Sequence, residues 1–203
     1  MLVARYVNVT QTLNIAKQLT RSGVFVIFLS TNAVFNGEIA FAKSNMLVSP
    51  NSEYGRQKAD AEFELLKLEN NVAIVRFGKI LNSDAALLCN WKRDLLSDKI
   101  IHPYVDMVMA PLSMEFAVQC LKVLATRRKP GIFQVTATRD INYFEVAKYI
   151  ANKMHVTEDL INPIYCRDDG ILFAPKNTTL DGQTVKEVGI NLPSAFEAIH
   201  QFV

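Results

Sequence analysis

Apolar positions along the chain follow two rhythms. Over residues 7–21, Val9, Leu13, Ala16 and Leu19 recur at helical spacing and Gly23 follows, which predicts an amphipathic helix. Residues 24–29, VFVIFL, are an unbroken apolar run without alternation. Such a run predicts a strand buried on both faces, central in a parallel sheet flanked by helices. Residues 36–53 form a long polar connection containing Asn36-Gly37 and Ser49-Pro50-Asn51-Ser52, and loops of that length are often functional. Residues 54–69, rich in Ala, Glu, Leu and Lys, predict a helix. A second buried strand is predicted at 72–75, a helix over 83–97, an extended stretch near 99–109 and a helix over 112–126. Pro130-Gly131 turns the chain into a strand at 132–135, and Asn142 caps a helix over 142–154. A turn at Asp181-Gly182 leads into a short helix ending at Val188-Gly189, and a last helix starts after Pro193. Strands alternating with helices predict an α/β protein with a mainly parallel sheet. The sequence carries neither an internal repeat nor a low-complexity segment.

Composition narrows the function. The chain has 203 residues, half of them apolar, enough for one domain with a real core. The formal net charge is +2 with basic residues scattered, so electrostatics predict no nucleic-acid partner. The longest basic run, Arg127-Arg128-Lys129, precedes Pro130-Gly131 and reads as a solvated helix end. Cys89, Cys120 and Cys166 stand far apart, without Cys-x-x-Cys or His-x-x-x-His spacing, so no metal site is expected. An odd number of cysteines suits a reducing compartment, and all three are expected as small buried side chains. The N-terminal stretch lacks the pattern of a signal peptide. No apolar run approaches the roughly 18–20 residues of a membrane span. The expectation is a soluble cytoplasmic protein without a membrane partner.

Candidate chemistry lies between residues 31 and 58. Tyr54 and Lys58 are four apart at the start of a predicted helix and share a face. Thr31 ends a predicted strand, where open parallel sheets hold their ligands. A ketone that accepts hydride needs a proton at its oxygen. A phenol can donate it, although its ordinary pKa is about 10. A neighbouring ammonium stabilises the phenolate and brings the exchange toward the working range. A threonine hydroxyl can hold the substrate oxygen. Alone, Tyr-x-x-x-Lys reads by default as an ordinary solvated helix face, so its context carries the weight.

That context is Ser30-Thr31-Asn32-Ala33-Val34-Phe35-Asn36-Gly37, then Ser49-Pro50-Asn51-Ser52-Glu53-Tyr54-Gly55-Arg56-Gln57-Lys58. It resembles the extended short-chain dehydrogenases, most closely the dTDP-4-dehydrorhamnose reductases, with their S-T-D-x-V-F-x-G and P-x-x-x-Y-G-x-x-K patterns. The likeness continues through Arg76-Phe77-Gly78-Lys79-Ile80, Ala110-Pro111 and Pro175-Lys176-Asn177-Thr178-Thr179-Leu180-Asp181. The resemblance implies a Rossmann-like parallel sheet with a small substrate-binding lobe, built mainly from residues 79–115 and 155–185 of a single domain spanning 1–203. It implies NADPH- or NADH-dependent reduction of a 4-keto-6-deoxysugar nucleotide. It implies that Thr31 bonds the substrate carbonyl, that Tyr54 donates the proton, and that Lys58 binds the nicotinamide ribose and tunes the phenol. Asn8 resembles the helix asparagine near the catalytic group and equally reads as a polar residue at a helix start. Lys79 stands where rhamnose-forming enzymes tend to carry a substrate-contacting tryptophan, and Asn32 replaces the usual aspartate. Both positions are assigned to substrate, and both departures leave the sugar open.

The family opens with a Gly-x-x-Gly-x-x-Gly turn that lets the cofactor pyrophosphate approach a helix N-terminus. None of the eight glycines, at 23, 37, 55, 78, 131, 170, 182 and 189, falls in such a loop. Three explanations stand: an N-terminally truncated sequence, a cofactor-free relative acting as a binding or regulatory subunit, or a partner chain that supplies the missing half. Weak cofactor binding by this chain is expected, as is association through an uncovered sheet edge, in a homo-oligomer or larger species. Rival functions are a non-catalytic subunit, like the reductase-related regulatory subunit of methionine adenosyltransferase, and a sugar-nucleotide epimerase or dehydratase.

Overall fold

The structure, a computed structural model, describes residues 2–171 and 174–203. The lobe segment expected over 155–185 includes 172 and 173, which lie outside the described residues, as does Met1. Helix α1 (Leu2–Arg5) runs through a π-helical turn, Tyr6–Gln11, into α2 (Thr12–Arg21). The helix therefore begins earlier than the pattern at 7–21 predicts. It ends at Gly23, whose φ of 75° lets the Gly23 and Val24 amides reach back to the Thr20 and Leu19 carbonyls. That is a Schellman closure, which needs a left-handed residue at this place.

Three parallel strands follow in spatial order β1–β2–β6: β1 (Val26–Thr31), β2 (Val72–Phe77) and β6 (Gly131–Val135). Only β2 is central, and all six of its residues are buried. The run at 24–29 is instead an edge strand, and Leu29 is 49% exposed. Expectation fails here because β1 has a hydrogen-bonded neighbour on one side only. Its apolar side chains point to both faces of the sheet, but cover over Leu29 is incomplete.

Helices α2 and α3 (Glu53–Leu66) cover one face, where Ala16, Phe28, Ala61, Leu65, Val72 and Ile74 form a small core. The other face packs α5 (Met114–Arg127) and a C-terminal segment against Ala73, Val75, Phe77, Phe133 and Val135. Residues 112 and 113, expected as helix, form the short β5 (Leu112–Ser113), which pairs with β3 (Ile80–Leu81); Ser113 then caps α5. A third core belongs to a separate group: α4 (Ala86–Leu95), the paired β4 (Val108–Met109) and β7 (Ile141–Asn142), α6 (Tyr143–Lys153) and α8 (Ala195–Ile199). Asn142 caps α6 as expected, and Glu145 closes a reciprocal capping box. The short α7 (Gln183–Lys186) and Val185, Val188 and Ile190 pack on the sheet instead of this third core.

Burial pushes the thiols of Cys120 and Cys166 up, to about 12 and about 11. Cys89 departs from expectation and is exposed on α4, where its sulfur faces the Ser83 carbonyl. Among the described residues, no helix is long and apolar enough to cross a membrane, and no cluster of three or more potential ligands could hold a metal.

Candidate active site

Thr31 is the last residue of β1, at the C-terminal end of the sheet. Its hydroxyl oxygen accepts the Ala33 amide at 3.1 Å and so caps the 3₁₀ turn Asn32–Val34. Across from that turn, Ser52 caps α3 by accepting the Gly55 amide at 3.0 Å. Gly55 explains how the two elements meet. A Cβ there would lie 2.1 Å from the Ala33 carbonyl oxygen, inside any tolerable contact. A glycine in a helix costs roughly 1 kcal/mol relative to alanine, and here it permits backbone-to-backbone approach. Tyr54 is thereby carried on the turn of α3 that touches the Thr31 turn, and its side chain is 52% exposed.

Lys58 lies one helical turn on. Its ammonium donates to the Leu29 carbonyl at 2.8 Å, and sits 4.6 Å from the Phe28 ring centroid and 5.9 Å from that of Tyr54. Burial pulls its pKa below the ordinary lysine value, and the nearby Glu62 carboxylate opposes the shift. The Tyr–Lys pair thus shares a face beside the end of β1, as the spacing predicts.

Asn8 falls in the π-helical turn, and its amide donates to Gln57 at 2.8 Å. Gln57, 3% exposed, passes the link on by donating to Glu53 at 3.0 Å. That bond, then the Arg56 guanidinium, holds the Glu53 carboxyl below its ordinary range. The two helices are therefore stitched together directly behind Tyr54. No sequence signal announces the π turn; the polar Gln57 among the apolar positions of α3 was the available clue.

Of the three residues expected to meet substrate, Thr31, Asn32 and Lys79, no two line the same cavity. Asn32 donates to the Thr178 carbonyl at 3.2 Å and lines a small cleft with Asn36, Asn51 and Asn177. Asp140 accepts the Thr178 and Thr179 amides and so anchors that strap from below. Lys79 is exposed beyond β2 and lines a different cavity of about 270 Å³ with Asn82, Met109 and Tyr143. Neither cavity is lined by Thr31, Tyr54 or Lys58.

A buried polar network supports the sheet beneath the site. The Arg76 guanidinium pairs with Glu62 at 2.6 Å, both side chains 3% exposed, and donates to Gln134 and the Ser44 carbonyl at 3.2 Å each. Ser30 also donates to Glu62. Gln134 in turn donates to the Ala42 and Asp181 carbonyls, at 2.8 and 3.0 Å. Removing one member would leave a charge or dipole buried without its partner.

Comparison with known proteins agrees with this architecture. The chain is 24% identical over 207 residues to the β subunit of methionine adenosyltransferase 2 from Xenopus laevis, covering 96% of this chain and 61% of that protein. It thus spans 61% of the length of that relative. Two solved structures share its fold. The dTDP-4-dehydrorhamnose reductase from Bacillus anthracis, in complex with NADP, superposes with a TM-score of 0.84 at 21% identity, covering 96% of this chain and 70% of that one. The dTDP-4-dehydrorhamnose reductase from Clostridium acetobutylicum gives 0.84 at 18% identity, covering 98% and 72%. The model of the RmlD substrate binding domain matches residues 2–203, and the chain belongs to that family.

Proposed function

We propose that this chain carries the substrate side and the proton-transfer residues of an NAD(P)H-dependent reductase acting on a 4-keto-6-deoxysugar nucleotide. The observation that supports it best is the glycine contact at Gly55, which seats Tyr54 and Lys58 against the turn begun by Thr31. In this reading the Tyr54 hydroxyl protonates the carbonyl oxygen as charge builds on it. The Lys58 ammonium stabilises the phenolate left behind, and the Thr31 hydroxyl fixes the oxygen. The residues of the third core and the exposed Lys79 form the lobe that takes the nucleotide.

A nicotinamide, when bound, supplies the hydride. The residues here fit only its ribose end, through Tyr54 and Lys58. At the pyrophosphate end the fit fails among the described residues. A Cβ added at Gly37, Gly55, Gly78 or Gly182 would meet a neighbour within 3.0 Å, so those faces are filled. Gly23, Gly131, Gly170 and Gly189 adopt positive φ and none opens a helix. Strong cofactor binding therefore needs residues beyond these, and the uncovered edge of β1 is where we place a second copy or a complementing chain.

A second reading has its own support: the relative from Xenopus laevis is a subunit of an adenosyltransferase. Under it the chain is a sugar-nucleotide-binding or regulatory subunit. The experiment follows NAD(P)H oxidation with dTDP-4-dehydrorhamnose, on this chain and on a fusion behind the glycine-loop segment of the Bacillus anthracis reductase. Turnover by the fusion, lost in Tyr54→Phe by on the order of 10²–10⁴, supports the reductase. A folded fusion that binds a sugar nucleotide without turnover supports the subunit.

A further inference from the structure

We infer that the small cleft between the Asn32–Val34 turn and the strap at 175–177 is a subsite for the hydroxyl groups of an uncharged sugar ring; the inference deepens the proposed substrate and rests on that reading. The cleft encloses about 130 Å³ and is lined by Asn32, Asn36, Gly37, Asn51, Ser52 and Asn177 among others. Its chemistry is narrow. No charged side chain lines it among the described residues, and the nearby Lys176 and Glu38 neutralise each other at 3.0 Å. An anionic phosphate would find no cationic partner there.

Four side-chain amides converge on the cleft; Asn32 is spent, donating to the Thr178 carbonyl and accepting the Thr31 hydroxyl, and the other three leave a defined remainder. Asn36 accepts the Glu38 amide through Oδ1, which leaves its Nδ2. Asn177 donates through Nδ2 to the Gly37 carbonyl at 3.1 Å, which leaves its Oδ1. Asn51 makes no side-chain hydrogen bond among the described residues. Two donors and two acceptors thus remain around one small space. A hydroxyl both donates and accepts, so vicinal hydroxyls match this set better than a carboxylate or an ammonium would.

Size points the same way. With a water taking about 30 Å³, the cleft holds roughly four waters' worth of ligand, well below the several hundred Å³ of a drug-sized pocket. That suits part of a pyranose ring. The floor is built for closeness: a Cβ on Gly37 would meet the Pro175 Cβ at 2.5 Å. Position ties the cleft to the chemistry, because Asn32 follows Thr31 directly and Ser52 caps the helix carrying Tyr54.

Calorimetric titration of this chain with dTDP and with dTDP-rhamnose provides the test. The sugar is expected to tighten binding on the order of tenfold, the worth of one or two neutral hydrogen bonds. Asn51→Ala should erase that difference while dTDP alone binds as before. Asn51→Asp, which keeps the size and loses the donors, should weaken the sugar's contribution too. Both variants should keep the thermal midpoint, since Asn51 is exposed. If dTDP and dTDP-rhamnose bind equally, or if the difference survives in both variants, the subsite is overturned while the sugar-nucleotide reading stands. If neither ligand binds, both fall.

Discussion

The two flanks of the sheet are finished differently. At the β6 flank, Gln134 bonds the Ala42 and Asp181 carbonyls, while Val185, Val188 and Ile190 pack against Phe133 and Val135. That flank is sealed by the chain itself. At the β1 flank, Leu29 is 49% exposed and Ile15 on α2 is 57% exposed. The Lys58 ammonium donates to the Leu29 carbonyl at this flank. Tyr54 and Lys58 therefore sit at the unfinished flank. In the proposed reading, the residues that meet cofactor and substrate occupy the part of the molecule with the fewest internal commitments.

The buried network that joins the sealed flank to α3 through the central strand should be the costliest part to disturb. Arg76→Ala strips Glu62 of its guanidinium partner and frees Gln134 and the Ser44 carbonyl, and should cost about 3–5 kcal/mol in denaturant unfolding. A loss under 1 kcal/mol would mean that the network does not hold the flank closed. At the open flank, Gly55→Ala should cost about 1–3 kcal/mol, because the added methyl meets backbone and the turn must move. The amide resonances of Ala33 and Thr31 should shift with it, and unchanged resonances would show that α3 does not rest on that turn. Away from both flanks, Asn142→Ala removes one half of a capping box and should cost about 1 kcal/mol, with no change at the Tyr54 or Lys58 resonances. Leu29→Glu should change stability by no more than about 0.5 kcal/mol. Light scattering should nonetheless show less self-association, since a charge on an edge strand opposes strand addition. Unchanged association would place any oligomer contact elsewhere.

Much of the fold was legible, and the misreadings have physical causes. Residues 72–75 read correctly as a strand because continuous burial leaves an unbroken apolar run, 132–135 did so because Pro130-Gly131 turns the chain into a short mostly apolar stretch, and Asn142 read correctly as a cap because its side chain acts locally. The run at 24–29 misled for the same reason in reverse: apolarity records what a strand is built to bury, not which neighbour lies beside it. The start of the first helix escaped because a π-helical turn shifts the periodicity near Asn8. That Tyr54 and Lys58 share a helix face was visible through their four-residue spacing. The roles of Gly55 and Gln57 were not, since each depends on a residue more than 20 positions away. Lys79 and Asn32 could not be sorted into separate cavities without the path of the strap at 175–181.

The proposal's central claim is that this chain holds the substrate side of the reaction and that its described residues form no complete cofactor cradle. Parallel calorimetric titrations with dTDP-rhamnose and with NADPH test it most directly. The expected result is saturable sugar-nucleotide binding together with NADPH binding at least tenfold weaker, with Lys58→Met weakening NADPH further. NADPH binding tighter than dTDP-rhamnose, unaffected by Lys58→Met, would contradict it.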